Sequence, residues 1–464
     1  MSITLQINNN TNLNSASPAV TTWIAGWING GSCHNFFVLQ SNGSFASSPD
    51  DPPKVPFNAL AAGNGALTVQ FNPSQVDPSP SFNGNNRLVF VVSPTQPSDL
   101  TTSGNSPKQF TAYPWANPPG AGLQAPGPFD IFEFGMNAQI DLSAVNGLGL
   151  NLSFSVEVAG KTYQFGVDQN LLRSDVAKAF ELFIALEKSS LPSASAYGPL
   201  LYTAKLPFPP TGANPPSPPL VAGQFFAICD PNDQLAAETN NYTASTSDPL
   251  ATYWDETLTA FFAVGNHLSI NLNANPSDPK IYSGACTQSD GGLPAYSLSN
   301  GSNTFTFPLP KASGAESPGL TGAQYVFQQA FGPLTPSGSG GDAGLLQDSI
   351  WEALCRGVAM KGVSKSPISN GESTAAWNDP ATWYQAGTPC HLYGKFLHYA
   401  TRNGTDSRLD QSAPPIMAGN SAYAFSMDEN PLGPYSGGDA PSKTPVNVPD
   451  GSTITINIGP WVTP

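Results

Sequence analysis

The chain has 464 residues, of which 44 are Gly and 47 are Pro, and only 11% are charged, against roughly 25% in an average soluble domain. Its 32 acids and 17 bases give a net charge of -15. Such a polyanion gains nothing from counterion release at phosphates, which excludes general nucleic-acid binding.

The 39% apolar and 10% aromatic residues are ample for a large core, and at about 100–200 residues per domain two or three lobes are expected. The chain starts without a basic region, and residues 3–7 alternate apolar and polar, which predicts a strand and not a signal peptide. Further strands are predicted over 22–27, 35–39, 66–71, 87–92 and 129–134, and over 148–156 leading into 162–167. Short strands punctuated by Gly, Pro and Asn predict a sandwich or flattened barrel. No window approaches 18 uninterrupted apolar residues, so no membrane-spanning helix is expected.

At Ser174 the period changes. Residues 175–187 carry Val176, Phe180, Phe183, Ile184 and Leu186 on one face, with Ser174 as the expected cap and Asp175 in the first turn. Residues 207–219 are too rich in Pro for regular structure and read as a surface loop. A second helix is predicted over 249–264 and a strand over 268–272; Thr321-Gly-Ala-Gln324 matches a capping box and predicts a helix start. Gly338 to Gly341 reads as a flexible joint before a helix over 342–356. The last run, 452–458, alternates strictly and predicts a strand with one buried face. It has no local partner, so it is expected to return to the first β region or its neighbour. The organisation expected is a β lobe over 1–170, an α/β lobe over 171–435 and a C-terminal strand segment over 436–464.

Generic chemical signatures are absent: there is no G-x-G-x-x-G, P-loop, H-E-x-x-H or G-x-S-x-G. The five cysteines are widely spaced with no C-x-x-C, and His391 and His398 have no third ligand near them in sequence, so neither a metal nor a cofactor is expected. The informative stretch is 129–154. A hairpin centred on Asn137 sets Glu133 opposite Asp141, where Cβ atoms lie about 4.5–5.5 Å apart. Two carboxylates there repel, which raises the pKa of one. Such a pair suits general acid and general base for hydrolysing a glycosidic bond, and an exposed acid pair on a sheet edge is the competing reading.

Phe132-Glu-Phe134 followed by Asp141-Leu-Ser-Ala-Val-Asn-Gly-Leu-Gly-Leu-Asn-Leu-Ser-Phe154 resembles segments of thaumatin-like proteins. It is closer to the family 64 glycoside hydrolases, β-1,3-glucanases of the laminaripentaose-producing type. Within it, Val145-Asn-Gly-Leu-Gly-Leu-Asn151 is similar to that family's Val-Asp-x-x-Gly-Leu-Pro. The likeness continues in chain order through Trp23-Ile-Ala-Gly-Trp-Ile28, Tyr253-Trp-Asp-Glu256, Ala353-Leu-Cys-Arg-Gly357, Tyr393-Gly-Lys-Phe-Leu-His398 and Tyr423-Ala-Phe-Ser-Met-Asp428.

The resemblance implies a mainly β fold with an α/β portion: a thaumatin-like sandwich or barrel lobe and an α/β lobe flanking a wide groove. It implies an inverting endo-1,3-β-glucanase acting on a β-1,3-glucan, without cofactor, metal, nucleic-acid or membrane partner, as a monomer working outside the cell. Glu133 falls on the acid position, whereas Asn146 stands where the family has the Asp base. An amide cannot accept the proton of attacking water, a loss worth about 10² to 10⁴ in rate. Asp141 is the nearest substitute, and Asp428 with Glu429 is a second source of acidity. Sugar rings need flat aromatic faces, for which Tyr113, Trp115, Phe132, Trp377, Trp383, Tyr384 and Tyr393 are candidates, with Asp428 beside them. Asn146 also leaves open a glucan-binding thaumatin-like protein that has lost turnover, and an acidic structural module with no sugar ligand is a third class.

Overall fold

A computed structural model describes residues 3–13, 20–29, 36–48, 50, 53–72, 75, 86–93, 95–103, 106–107, 110–112, 123–134, 140–203, 225–232, 234–235, 249–273, 279–288, 292–310, 322–328, 341–369, 371–399, 448–449 and 451–461. The fold is mainly β, with several antiparallel sheets and some helices.

Two sheets face each other across the main core. The first runs Lys161–Gly166, Leu152–Val158, Thr453–Ile458, Ile3–Asn9, Gly63–Phe71. Period-two alternation buries Ile3, Leu5 and Ile7 while Gln6 stays exposed. The last strand of the chain lies inside this sheet, parallel to Ile3–Asn9 and antiparallel to Leu152–Val158.

The second sheet runs Asp141–Ser143, Phe129–Phe134, Asn86–Ser93, Thr21–Asn29, Phe36–Leu39, Phe45–Ser47. Both of its faces are covered, which is why Leu88-Val-Phe-Val-Val92 is an unbroken apolar run. Phe90, Val92, Phe132 and Phe134 point into the main core with Leu5, Phe154 and Ile456. Val89, Val91, Phe129 and Ile131 point the other way, into a second cluster with Trp27, Phe57, Ala227 and Cys229.

Several sequence expectations are corrected in detail. The strand expected over 148–156 is broken, because the Gly149 and Leu150 N–H groups donate to the buried Asp130 carboxylate at 3.1 and 2.8 Å instead of to a ladder. Gly147–Leu148 pairs instead with Phe225–Cys229 in a separate three-stranded sheet. The first long helix spans Arg173–Ser190, so Ser174 lies inside it; the start is closed by Asp175, whose carboxylate accepts the Leu172 N–H at 2.9 Å. The helix expected over 249–264 is a 3₁₀ turn, Pro249–Thr252, followed by a short α-helix, Asp255–Phe261. An antiparallel meander of His267–Asn271, Ile281–Gln288, Pro294–Ser299 and Thr304–Pro308 carries three strands the sequence did not suggest. Helices Gly322–Gln328 and Asp342–Cys355 follow. Thr321, the Pro-rich 207–219 and residues 338–340 lie outside the described residues.

Helix Leu392–Tyr399 is fastened to helix Arg173–Ser190. Phe396 packs edge-on against Phe180 at 5.0 Å, and Lys395 pairs with Glu187 at 2.7 Å with both side chains almost sealed from water. No described helix is long and apolar enough to cross a membrane.

Candidate active site

The strand pairing brings Glu133 and Asp141 together. Glu133 is directly opposite Asp141 on one side and Arg87 on the other, and Arg87 is opposite Trp27. These four residues therefore form one row across the second sheet, on the face that carries Ile131 and Val89. The Arg87 guanidinium meets the Glu133 carboxylate at 2.8 Å, and each side chain is 20% exposed. Burial pushes the Glu133 carboxyl above its ordinary range, and Arg87 pulls against that shift without cancelling it. Asp141 is buried, at 8% exposure. Arg87 flanks Glu133 on the side away from Asp141.

Asn146 is not carried to that row. Pairing runs from Asp141 opposite Glu133 to Ser143 opposite Ile131. The chain then leaves the sheet through a turn in which the Gly147 N–H donates to the Ala144 carbonyl at 3.0 Å. Gly147 has a φ of 125°, a conformation that favours glycine. The residue that the sequence compared with the family's base thus sits inside this turn, two residues after Ala144, half-buried.

The described aromatic candidates are corrected by burial. The Phe132 ring is 0% exposed, stacked edge-on against Phe154 at 5.4 Å in the main core. Tyr393 is also 0% exposed, with its hydroxyl donating to the Ala144 carbonyl at 2.7 Å. Trp377, Trp383 and Tyr384 are buried, and Trp383 carries the Arg356 guanidinium 3.8 Å above its ring. None of these five presents a face to a sugar ring. Trp23, by contrast, is half-buried on the same sheet face as Glu133. Tyr113, Trp115, Asp428 and Glu429 lie outside the described residues.

Arg87 is the site residue that sequence reasoning missed. Its signal was a lone cation heading an otherwise apolar strand, a position that calls for a buried counter-charge. Among the described residues no group of three or more His, Cys, Asp or Glu is placed to hold a metal ion. The described cysteines, Cys229, Cys286, Cys355 and Cys390, are buried thiols.

No protein-family model matches the sequence, and no curated protein does. The structure is similar to the crystal structure of a β-1,3-glucanase domain (GH64) from Clostridium beijerinckii, with a TM-score of 0.59 at 16% identity over 99% of this chain and 98% of that one. The fold is that of a family 64 β-1,3-glucanase domain. A family 64 laminaripentaose-producing β-1,3-glucanase from Paenibacillus barengoltzii, complexed with laminarihexaose, gives a TM-score of 0.46 at 13% identity over 99% of this chain and 75% of that one. The match to the Clostridium domain extends over nearly the whole length of both chains.

Proposed function

We propose that the chain is an endo-acting β-1,3-glucan hydrolase, inverting, with Glu133 as general acid and Asp141 as general base. The observation that carries this reading is the register Arg87, Glu133, Asp141 across three adjacent strands. It supplies a carboxyl whose pKa is raised by burial, as protonating a leaving oxygen requires, beside a second acid able to take a proton from water. Inverting pairs stand about 6.5–9.5 Å apart and retaining pairs about 5–5.5 Å. Directly opposed Cβ atoms start near the shorter spacing, and Arg87 holds Glu133 from the side away from Asp141.

The same reading takes the chain as a thaumatin-like β lobe over 1–170 and an α/β lobe over 171–435 flanking a groove, in a monomeric protein acting on extracellular polysaccharide. A neutral polymer also suits a chain of net charge -15 with few charged residues. A second reading, glucan binding without turnover, is favoured by Asn146 at the position compared with the family's base.

The test is reducing-end release from laminarin, with retention on insoluble curdlan measured in parallel. Glu133→Gln is expected to abolish release, and Asp141→Asn to lower it about 10² to 10⁴-fold, while Asn146→Asp leaves the rate within a few-fold of wild type. Asp141→Asn at the wild-type rate would remove Asp141 from the base role. Curdlan retention with no release by wild type would establish the second reading.

A further inference from the structure

We propose that Tyr393 is a positioning residue for the Glu133–Asp141 pair, acting on the main chain where the strand Asp141–Ser143 ends. The inference rests on the hydrolase reading and gives Tyr393 a task other than stacking on sugar. Asp141 lies in a strand of three residues that, among the described residues, pairs on one side only, with Phe129–Phe134. The hairpin pairing and the buried Ile140 and Leu142 set which face Asp141 takes, but a ladder of three residues leaves the exit of the strand to be held from elsewhere. What grips the strand's end therefore adds to how firmly the second carboxylate is placed.

That grip comes from the helical part of the molecule. The carbonyl of Ala144, the first residue after the strand, accepts the Tyr393 hydroxyl at 2.7 Å as well as the Gly147 N–H at 3.0 Å. Ala144 is 2% exposed and Tyr393 0%, so water cannot replace the phenol. The helix that delivers it is rigidly seated: Lys395 is paired with Glu187, Phe396 is wedged against Phe180 and Phe183, and the His391 ring nitrogen Nδ1 accepts the Gly394 N–H at 3.0 Å. The hydroxyl is therefore a fixed point against which the exit of the strand is registered. Loss of the oxygen leaves the chain fold in place but loosens the exit of the strand that carries Asp141, and about 1 Å of misplacement can cost up to 10²-fold in rate.

The experiment compares Tyr393→Phe with Tyr296→Phe. Tyr296 is equally buried, and its hydroxyl reaches from the four-stranded meander to the Phe261 carbonyl at 2.8 Å, beside the Asn266 side chain, so each change removes one sealed phenol. Laminarin kinetics and hydrogen exchange over residues 140–148 are read for both. Tyr393→Phe is expected to lower kcat about 10-fold with KM within twofold of wild type, and to speed exchange over 140–148 several-fold, whereas Tyr296→Phe moves neither. Equal kcat losses in both variants, or wild-type kcat and exchange in Tyr393→Phe, would overturn the proposal. If wild type itself shows no turnover, the hydrolase reading fails separately and exchange decides: acceleration over 140–148 confined to Tyr393→Phe sustains the grip, and its absence ends it.

Discussion

Two opposed influences set the proton on Glu133: burial favours the neutral acid and the Arg87 guanidinium favours the anion. Arg87→Met removes the second and leaves the first. The Glu133 pKa then rises further, so a reaction needing the protonated acid keeps its activity to higher pH, and the alkaline limb of kcat/KM against pH moves upward. An unmoved limb would mean that another group donates the proton. The Glu133–Asp141 opposition was legible in the sequence because hairpin pairing is arithmetic: a turn centred on Asn137 fixes every pair across it. Arg87 was not legible as their neighbour, since it arrives on a strand more than forty residues earlier by a pairing no local pattern encodes. The sugar platforms failed for another reason. Phe132 and Tyr393 have the right rings, but residue type does not distinguish a ring facing a groove from one facing a core, and in this fold both face the core.

At the scale of elements, Asp130 is the clearest case of a side chain overruling a backbone pattern. Its carboxylate takes two N–H groups that the alternation of 148–156 would have given to a sheet, and the chain is bent into the three-stranded sheet as a result. Burial pushes the Asp130 carboxyl up to about 7, against the two N–H bonds and the nearby Arg173, which pull it down. The folded protein thus holds this proton more tightly than the unfolded chain does. The stability it contributes is whole below about pH 4 and is lost as pH rises towards 7. Asp130→Asn abolishes that titration, so the difference in unfolding free energy between wild type and Asp130→Asn is expected to shrink from pH 4 to 7 and level off above. Urea unfolding at a series of pH values measures it, and a difference independent of pH would place the Asp130 pKa near its ordinary value. Ile3–Asn9 was readable because one buried face imposes a period of two, whereas short strands such as Phe45–Ser47, Lys54–Val55 and Leu100–Ser103 offer too few residues for a period to show. The meander was not readable, because its outer face is Ser and Thr, with Ser297, Thr304 and Thr306 exposed, and such composition reads as loop.

Across the whole molecule, the two ends of the chain are joined in one sheet. Thr453–Ile458 lies between Ile3–Asn9 and Leu152–Val158, and just beyond it the Trp461 N–H donates to the Thr11 carbonyl at 2.9 Å, with Arg173 4.9 Å above the Trp461 ring. A central strand satisfies two ladders at once, so its loss strips Ile3–Asn9 and Leu152–Val158 of hydrogen bonds and opens the core at Ile454, Ile456 and Ile458 together. The sandwich that carries Glu133 is therefore complete only when Thr453–Ile458 is in place, and its pairing with Ile3–Asn9, distant in sequence, is a condition for the sandwich to close. A chain ending at residue 449 is expected to lose its cooperative melt, or to melt far below wild type, and to regain it when a synthetic peptide of residues 450–464 is added in excess. Circular dichroism melts of the truncated chain with and without peptide provide the measurement. A truncated chain that unfolds cooperatively within a few degrees of wild type would show that the first sheet is stable with its centre missing, and that the ends are joined for some purpose other than folding.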